Sequence, residues 1–478
     1  MKIHSGFALS TFVIATLGGC APVGPDYVKP DAAVPANWAN APARQTSMQD
    51  LSHWWSVLND PLLSELITQA LQNSPDLRSA QAKLREARAQ RKLAGANLFP
   101  TIGASASRSY NKNSPSTGGV TTDLYSAGFD ASWEPDVFGG NRRAVEAAQA
   151  DLEGSVASLH DTQVTLVAEV ALNYIELRSY QARLAIAENN LASQKETLSL
   201  TGWREQAGLT SSLDVEQSRT NLEQTRAQIP TLESSLAQAK HRLATLLGQA
   251  PNALYDKLAA PAPVPAAPDN IAVGIPADTV RQRPDIRVAE RKLAAETARI
   301  GVQTAALYPA FTLSGSLGWE ALSLNALGGS DSLTHSVLQS IAATLFDGGR
   351  IRSAIEIQNA VQEQALVSYE KTVLNALEEV ENALVSYANS RRRELALQQA
   401  ENAAYNATLL ARHRYTTGIT DFQTVLDTER TLLTVQDSLA TTEADKITAL
   451  IQLYKAMGGG WQPVTDNKTS SAKQGTTS

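Results

Sequence analysis

The spacing of apolar positions changes several times along this chain, and each change marks an element. In PLLSELITQAL, Pro61 to Leu71, apolar residues recur at helical spacing, and a second helix follows from Pro75 to about Asn97 with proline in its first turn. After Phe99-Pro100 the period falls from 3.6 to 2. In TIGASASRSY, Ile102, Ala104, Ala106 and Tyr110 face one way while Thr101, Gly103, Ser105, Ser107 and Ser109 face the other, which predicts a strand over about 100–110. A polar loop, 111–122, leads to a second alternation over about 124–134. There Tyr125, Ala127, Phe129, Ala131 and Trp133 oppose Ser126, Gly128, Asp130, Ser132 and Glu134. Such a pair has two readings: a hairpin on a soluble core, or membrane-barrel strands with lipid against the apolar face and water against the hydroxyl face.

The helical period then returns at a length no globular domain buries. The stretch 141–207 contains only Gly154 and Gly202 as breakers, so a helix there is on the order of 100 Å long. Its leucines fall in heptads at 177, 184, 191 and 198. After Gly208 the return arm, 209–247, carries Val215, Leu222, Ile229, Leu236 and Leu243 in the same register. Small residues three places on, at Ser218, Thr225 and Ala239, allow close helix approach, and Pro230 predicts a local kink.

The whole arrangement then repeats. QNSPDLRSAQAKL, Gln72 to Leu84, aligns without a gap on RQRPDIRVAERKL, Arg281 to Leu293, and Glu169 to Gly248 aligns on Glu379 to Gly458. The copies span 51–249 and 276–461. In the second, FTLSGSLGW predicts a strand over about 310–319, a weaker alternation a strand over 336–346, and helices cover 350–417, which contains no Gly or Pro at all, and 419–457. Between the copies, 250–275 is a Pro/Ala-rich connector without period, and 462–478 is a polar tail with a disordered composition.

Composition narrows the chemistry. With 41 Lys and Arg against 48 Asp and Glu, a net charge of -7, and no basic cluster interleaved with aromatics, the chain lacks the footprint of a nucleic-acid binder. The longest uncharged apolar run, Gly6 to Gly19 behind Lys2, has the layout of a signal peptide (1–19) and is too short to span a bilayer. It ends in LGGC, so that small residues precede the single cysteine, Cys20, as in a bacterial lipobox. Cys20 is thereby expected to become an acylated, palmitate-bearing first residue of the mature chain, followed by an extended Pro/Ala-rich segment over 20–50. The six histidines show no metal spacing, no phosphate-binding loop is present, and neither enzyme activity nor a cofactor is expected.

Each copy supplies two strands and two long antiparallel helices, and a sheet of four strands cannot close. Open edges are untenable in lipid, where every backbone group must be paired, so further copies of the chain must complete the sheet. The expected fold is mostly α with transmembrane β. Three chains would give a twelve-stranded barrel joined to twelve helices, wide enough for an aqueous channel.

CAPVGPDYVKP at Cys20 to Pro30, LNDPLLSELI at Leu58 to Ile67, the paired PD(L/I)R, the junctions LFP and LYP, and FDGGR at Phe346 to Arg350 together resemble the outer-membrane factor family. More narrowly, they are similar to the NodT-type lipoprotein branch of the TolC-like exit ducts. The resemblance covers the mature chain as far as Trp461. It implies a homotrimer with a barrel in outer-membrane lipid and a periplasmic barrel of helices. The function implied is an exit duct for multidrug efflux, with antibiotic resistance as its outcome, or for type I secretion. The duct would work with a periplasmic adaptor and an inner-membrane transporter of the RND, ABC or MFS type.

It also implies roles for particular residues. The turns AGLT and TGIT, with Gly208, Leu209, Thr210, Gly418, Ile419 and Thr420, would form the periplasmic end touched by the adaptor, and their glycines also end helices in a left-handed conformation. In DFQTVLDTER, Asp427 would point into the lumen and, by three-fold symmetry, form a ring of carboxylates at a periplasmic gate. Gln423, one turn earlier, stands where the family often has an apolar constriction. In the first copy Gln217 occupies the place of Asp427, so the ring draws on one copy only. The competing class is a periplasmic coiled-coil adaptor or structural lipoprotein without a pore, which needs one helical hairpin and no alternating strands.

Overall fold

A computed structural model describes residues 22–31, 34–40, 51–268 and 276–461. The signal-like run 1–19, Cys20 and the tail 462–478 lie outside the described residues, as do parts of the segment 20–50 and of the connector 250–275. The chain divides into two compact units. The first comprises the N-terminal residues to Asp31, Ala82–Ala157 and Arg287–Lys371, and the second comprises Ala32–Gln81, Ser158–Ile286 and the residues from Thr372 on.

Unit 1 contains the sheet. Strands β1 (Thr101–Lys112), β2 (Thr121–Trp133), β3 (Ala310–Ala321) and β4 (Leu333–Ala342) pair antiparallel in the order β1-β2-β3-β4. The registers align the two faces across all four strands. Ala104, Phe129 and Leu317 share one row on the mostly apolar face, which His335 completes on β4, and Gly103, Asp130, Ser316 and Ser336 share one on the other. Hydroxyls bridge neighbouring strands on that second face, with Ser107 Oγ and Ser126 Oγ 2.7 Å apart and Ser316 Oγ and Ser336 Oγ 2.8 Å apart. Gly128 and Gly318 face each other, and a Cβ on Gly318 would meet the Ala127 carbonyl at 2.7 Å, so the backbones approach too closely for any side chain. The second strand of copy two begins three residues earlier and ends four earlier than the expected 336–346. It stops at Ala342 because its partner Ala310 follows Pro309, which has no N–H to continue the ladder.

An N-terminal strap closes this unit. The Val23 amide donates to the Phe138 carbonyl at 3.1 Å, and Gly24 lies so near Gly301 that a Cβ on it would sit 2.4 Å from the Gly301 Cα. The buried Arg143 guanidinium donates to the Val23 and Gly24 carbonyls and to Asp26, which binds the strap to the helix that carries it.

Helices α1 (Pro61–Asn73), α2 (Pro75–Ala96), α3 (Gly140–Gln206) and α4 (Ser212–Leu246) belong to the first copy. Helices α5 (Pro276–Gln282), α6 (Pro284–Ala305), α7 (Arg350–Thr416) and α8 (Phe422–Ala456) belong to the second. Both return helices start later than their glycines suggest, because the residues between serve as caps: Ser211 for α4 and Asp421 for α8. Helix α4 runs without a break across Pro230. On it the small residues Ser218, Thr225 and Ala239 are buried together with Leu222 and Leu243 of the heptad column, whereas Val215, Ile229 and Leu236 of that column are half-exposed.

The core of unit 2 gathers Trp54, Leu63, Leu66, Ile67, Val167, Tyr174, Leu243, Leu450 and Tyr454, all nearly inaccessible. Trp54 stacks on Tyr454 at 5.3 Å. Asp60 caps α1 through the Leu62 and Leu63 amides and accepts a 2.5 Å hydrogen bond from the Tyr174 hydroxyl, whose pKa burial pushes up to about 12. The connector is fastened to α3 by Gln181 and Arg178, which donate to the Leu258 and Ala260 carbonyls.

Candidate gate and docking turns

The two turns that end α3 and α7 are built by the same bonds. Gly208 has φ +72°, its amide donates to the Glu205 carbonyl at 2.8 Å, and the Leu209 amide donates to the Arg204 carbonyl at 2.8 Å. Gly418 has φ +78°, with Gly418 donating to Tyr415 at 3.0 Å and Ile419 to Arg414 at 2.8 Å. A left-handed residue closing two such bonds satisfies carbonyls that a helix end leaves open, and glycine alone adopts that conformation without steric cost. Leu209 and Ile419, at 66% and 65% exposure, both stand out into solvent. Thr210 and Thr420 are half-buried.

The caps that follow differ. Ser211 and Asp214 form a reciprocal capping box, reinforced by the Thr210 hydroxyl on the Asp214 carboxylate. Asp421 instead accepts from both the amide and the hydroxyl of Thr424, at 3.0 and 2.6 Å. Both carboxyls are held below the usual range. For Asp421 the hydrogen bonds from Thr424 are the cause, and for Asp214 those from Thr210 and Ser211 outweigh an opposing burial effect. Arg204 ties the turns together, donating to the Thr416 carbonyl at 3.3 Å and lying 4.6 Å over the Tyr415 ring.

Asp427 and Gln423 lie one helical turn apart on the exposed side of α8, and Gln423 Nε2 donates to Asp427 Oδ1 at 2.9 Å. Gln423 therefore orients the carboxylate. The groove beside Asp427, about 270 Å³, is lined by Ala404, Ala407, Thr424, Thr428 and Thr431, small residues that leave the carboxylate open to water. Gln423 does not make an apolar constriction.

Behind this face lies a cluster that the sequence pattern does not announce. Glu429, 4% exposed, accepts from Arg412 at 2.8 Å and from the Thr197 hydroxyl at 2.7 Å, while Arg412 also donates to the Ser193 carbonyl at 3.1 Å. One guanidinium thus joins α3, α7 and α8. The signal available in the sequence is the exchange of residue types between copies, since Arg412 stands where the first copy has Gly202, and Glu429 where it has Arg219. Cys20 lies outside the described residues.

Comparison with known families agrees with this geometry on both copies: the family profile described as outer membrane efflux protein matches residues 66–249 and 275–459. The chain belongs to the outer membrane efflux protein family. It is 32% identical over 456 residues to Nodulation protein T of Rhizobium leguminosarum bv. trifolii, covering 95% of this chain and 97% of that protein. It is 34% identical over 440 residues to the pyoverdine export outer membrane protein OpmQ of Pseudomonas putida, covering 90% of this chain and 93% of that one. A solved structure of the outer-membrane channel OprN superposes with a TM-score of 0.87 at 39% identity, covering 92% of this chain and all of that one. This efflux protein is therefore an outer-membrane exit channel, built from a duplicated unit of two strands and two long helices.

Proposed function

We propose that three copies of this channel protein close one twelve-stranded barrel through the outer membrane, and that the closed duct passively conducts what an inner-membrane transporter and a periplasmic adaptor deliver. The observation that carries this reading is the sheet itself. Among the described residues both β1 and β4 present free edges; one face is mostly apolar, with Tyr, Phe and Trp interrupted by the Arg108–Asp123 pair, His335 and Gln339, and the other is rich in Ser and Gly around Asp130. Because β1 and β4 run in opposite directions, β1 of one copy extends the alternation beyond β4 of the next, and a head-to-tail ring leaves no edge. Three copies give a lumen wider than side chains can fill, lined by hydroxyls, with lipid against the aromatics.

In this reading the Asp427 carboxylates, held by Gln423, form the ring that narrows the closed channel, and the turns Gly208–Thr210 and Gly418–Thr420 receive the adaptor. Acylated Cys20 adds a lipid anchor to the barrel's own hold on the membrane. A hydroxyl-lined conduit carries little side-chain selectivity, so the choice of cargo falls to the transporter, of RND, ABC or MFS type. Reconstitution of the purified protein into planar bilayers tests the reading: discrete, cation-favouring conductance steps are expected, and a protein that binds the bilayer without conducting would contradict it.

A further inference from the structure

We propose that a charge zipper between neighbouring copies sets which helices lie side by side in the assembly: the basic face of α2 in one copy meets the acidic stripe of α7 in the next. This rests on the ring of copies described above. In an acidic protein, α2 is basic. Between Ala82 and Ala96 it carries Lys83, Arg85, Arg88, Arg91 and Lys92 against the single acid Glu86, which is engaged by Gln90. Arg85, Arg88 and Lys92 follow the i, i+3, i+7 spacing of one helix face. All three are exposed, and none has an ion pair among the described residues. Leu93, 68% exposed, flanks them, while Leu84 and Ala87 turn the adjoining face into the chain's own packing.

Helix α7 carries the complement. Glu356, Glu363 and Glu370 recur every seven residues, so they too share one face, and between Arg352 and Lys371 no basic residue interrupts them. All three are exposed and without an ion pair among the described residues, with Ile357 and Val367, 65% and 55% exposed, beside them. Each stripe is thus a row of unspent charge with an apolar flank, the composition of a helix seam that lacks its partner.

The topology supplies the partner. Helix α2 leads directly into β1, and α7 follows directly from β4. When β1 of one copy pairs with β4 of the next, α2 and the neighbour's α7 descend from adjacent strands as antiparallel neighbours, basic face toward acidic stripe. Two α2 faces or two α7 stripes would repel, so the charges favour head-to-tail joining of β1 to β4 over joining of like edges. Individual pairs of this exposed kind are weak, and their contribution is to register and partner choice, reduced by salt.

The test is a charge swap on the full-length protein refolded into detergent. Arg85→Glu with Arg88→Glu, or Glu356→Lys with Glu363→Lys, is expected to lower the fraction recovered as trimer about tenfold at low ionic strength. The four changes combined should restore it to near the wild-type yield, and about 1 M salt should shrink the differences. Unchanged trimer yield in both pairs, or no recovery in the combined variant, would overturn the zipper while leaving the trimer standing. Loss of adsorption to phosphatidylglycerol vesicles by the α2 pair, with trimer yield intact, would overturn it in favour of anionic headgroups as the occupant. A wild-type protein that never forms a trimer would remove the ring on which the zipper rests.

Discussion

The turn after α3 and the turn after α7 close with the same two backbone bonds around Gly208 and Gly418, yet almost every side chain near them has been exchanged. Ser211 caps with a box where Asp421 caps alone, Gln217 stands for Asp427, Gly202 for Arg412 and Arg219 for Glu429. Backbone closure is a steric demand that both copies must meet, so duplication preserves it. Side-chain chemistry is free to diverge, and the divergence leaves the second copy with the carboxylate at the groove and the guanidinium that binds three helices.

The comparison can be broken most severely at the shared feature. Gly208→Asp and Gly418→Asp meet open space, and Asp tolerates the left-handed conformation better than most residues, so trimer assembly is expected to persist. Each change puts a charge on a turn proposed to receive the adaptor, and drug resistance should be lost in both; a variant with unchanged efflux would remove that turn from the docking surface. The next effect should appear in one copy only. Arg412→Met leaves the buried Glu429 without its cation, and since Arg412 is partly exposed the cost is about 2 kcal/mol. Amide exchange around Thr197 and Glu429 should quicken on the order of 30-fold. Gly202→Ala at the equivalent place, with nothing within 4 Å of the new methyl, should be neutral or stabilising by up to about 1 kcal/mol.

Asp427→Ala should raise single-channel conductance and weaken cation preference, whereas Gln217→Ala should leave both unchanged. Smaller still are the caps. Ser211→Ala is expected to cost about 1 kcal/mol of stability at the start of α4, read by exchange of the first-turn amides. Acid should undo both caps. A carboxyl whose folded pKa is lowered stabilises the folded state above its unfolded pKa, and that contribution disappears as pH falls through the folded value. The starts of α4 and α8 should therefore stay protected at neutral pH and fray only below about pH 4, as monitored by exchange or carboxyl chemical shifts.

Where the sequence was readable, local physics was the reason. Helix ends announced themselves through Gly208 and Gly418, and the strands through a clean change of period after Phe99-Pro100 and after Tyr308-Pro309. The limits of strand β4 are not legible in the sequence, because LTHSVLQSIA has no aromatic rim to fix its phase and its end is decided by Pro309 on the neighbouring strand. The pairing of Gln423 with Asp427 is an i, i+4 relation and was within reach. The cluster of Arg412, Glu429 and Thr197 was not, since its members lie up to 232 positions apart and meet only when helices from both copies pack. A buried glutamate on an otherwise polar helix looks, in sequence, like any solvated one.

The most direct measurement of the central claim is the mass of the intact particle in mild detergent, determined by native mass spectrometry on protein that conducts in bilayers. Closure of the open four-stranded sheet by head-to-tail copies predicts a single species of three chains. A conducting monomer would contradict it, because its sheet keeps both edges open, and so would a dimer, whose eight strands enclose only a space that side chains fill.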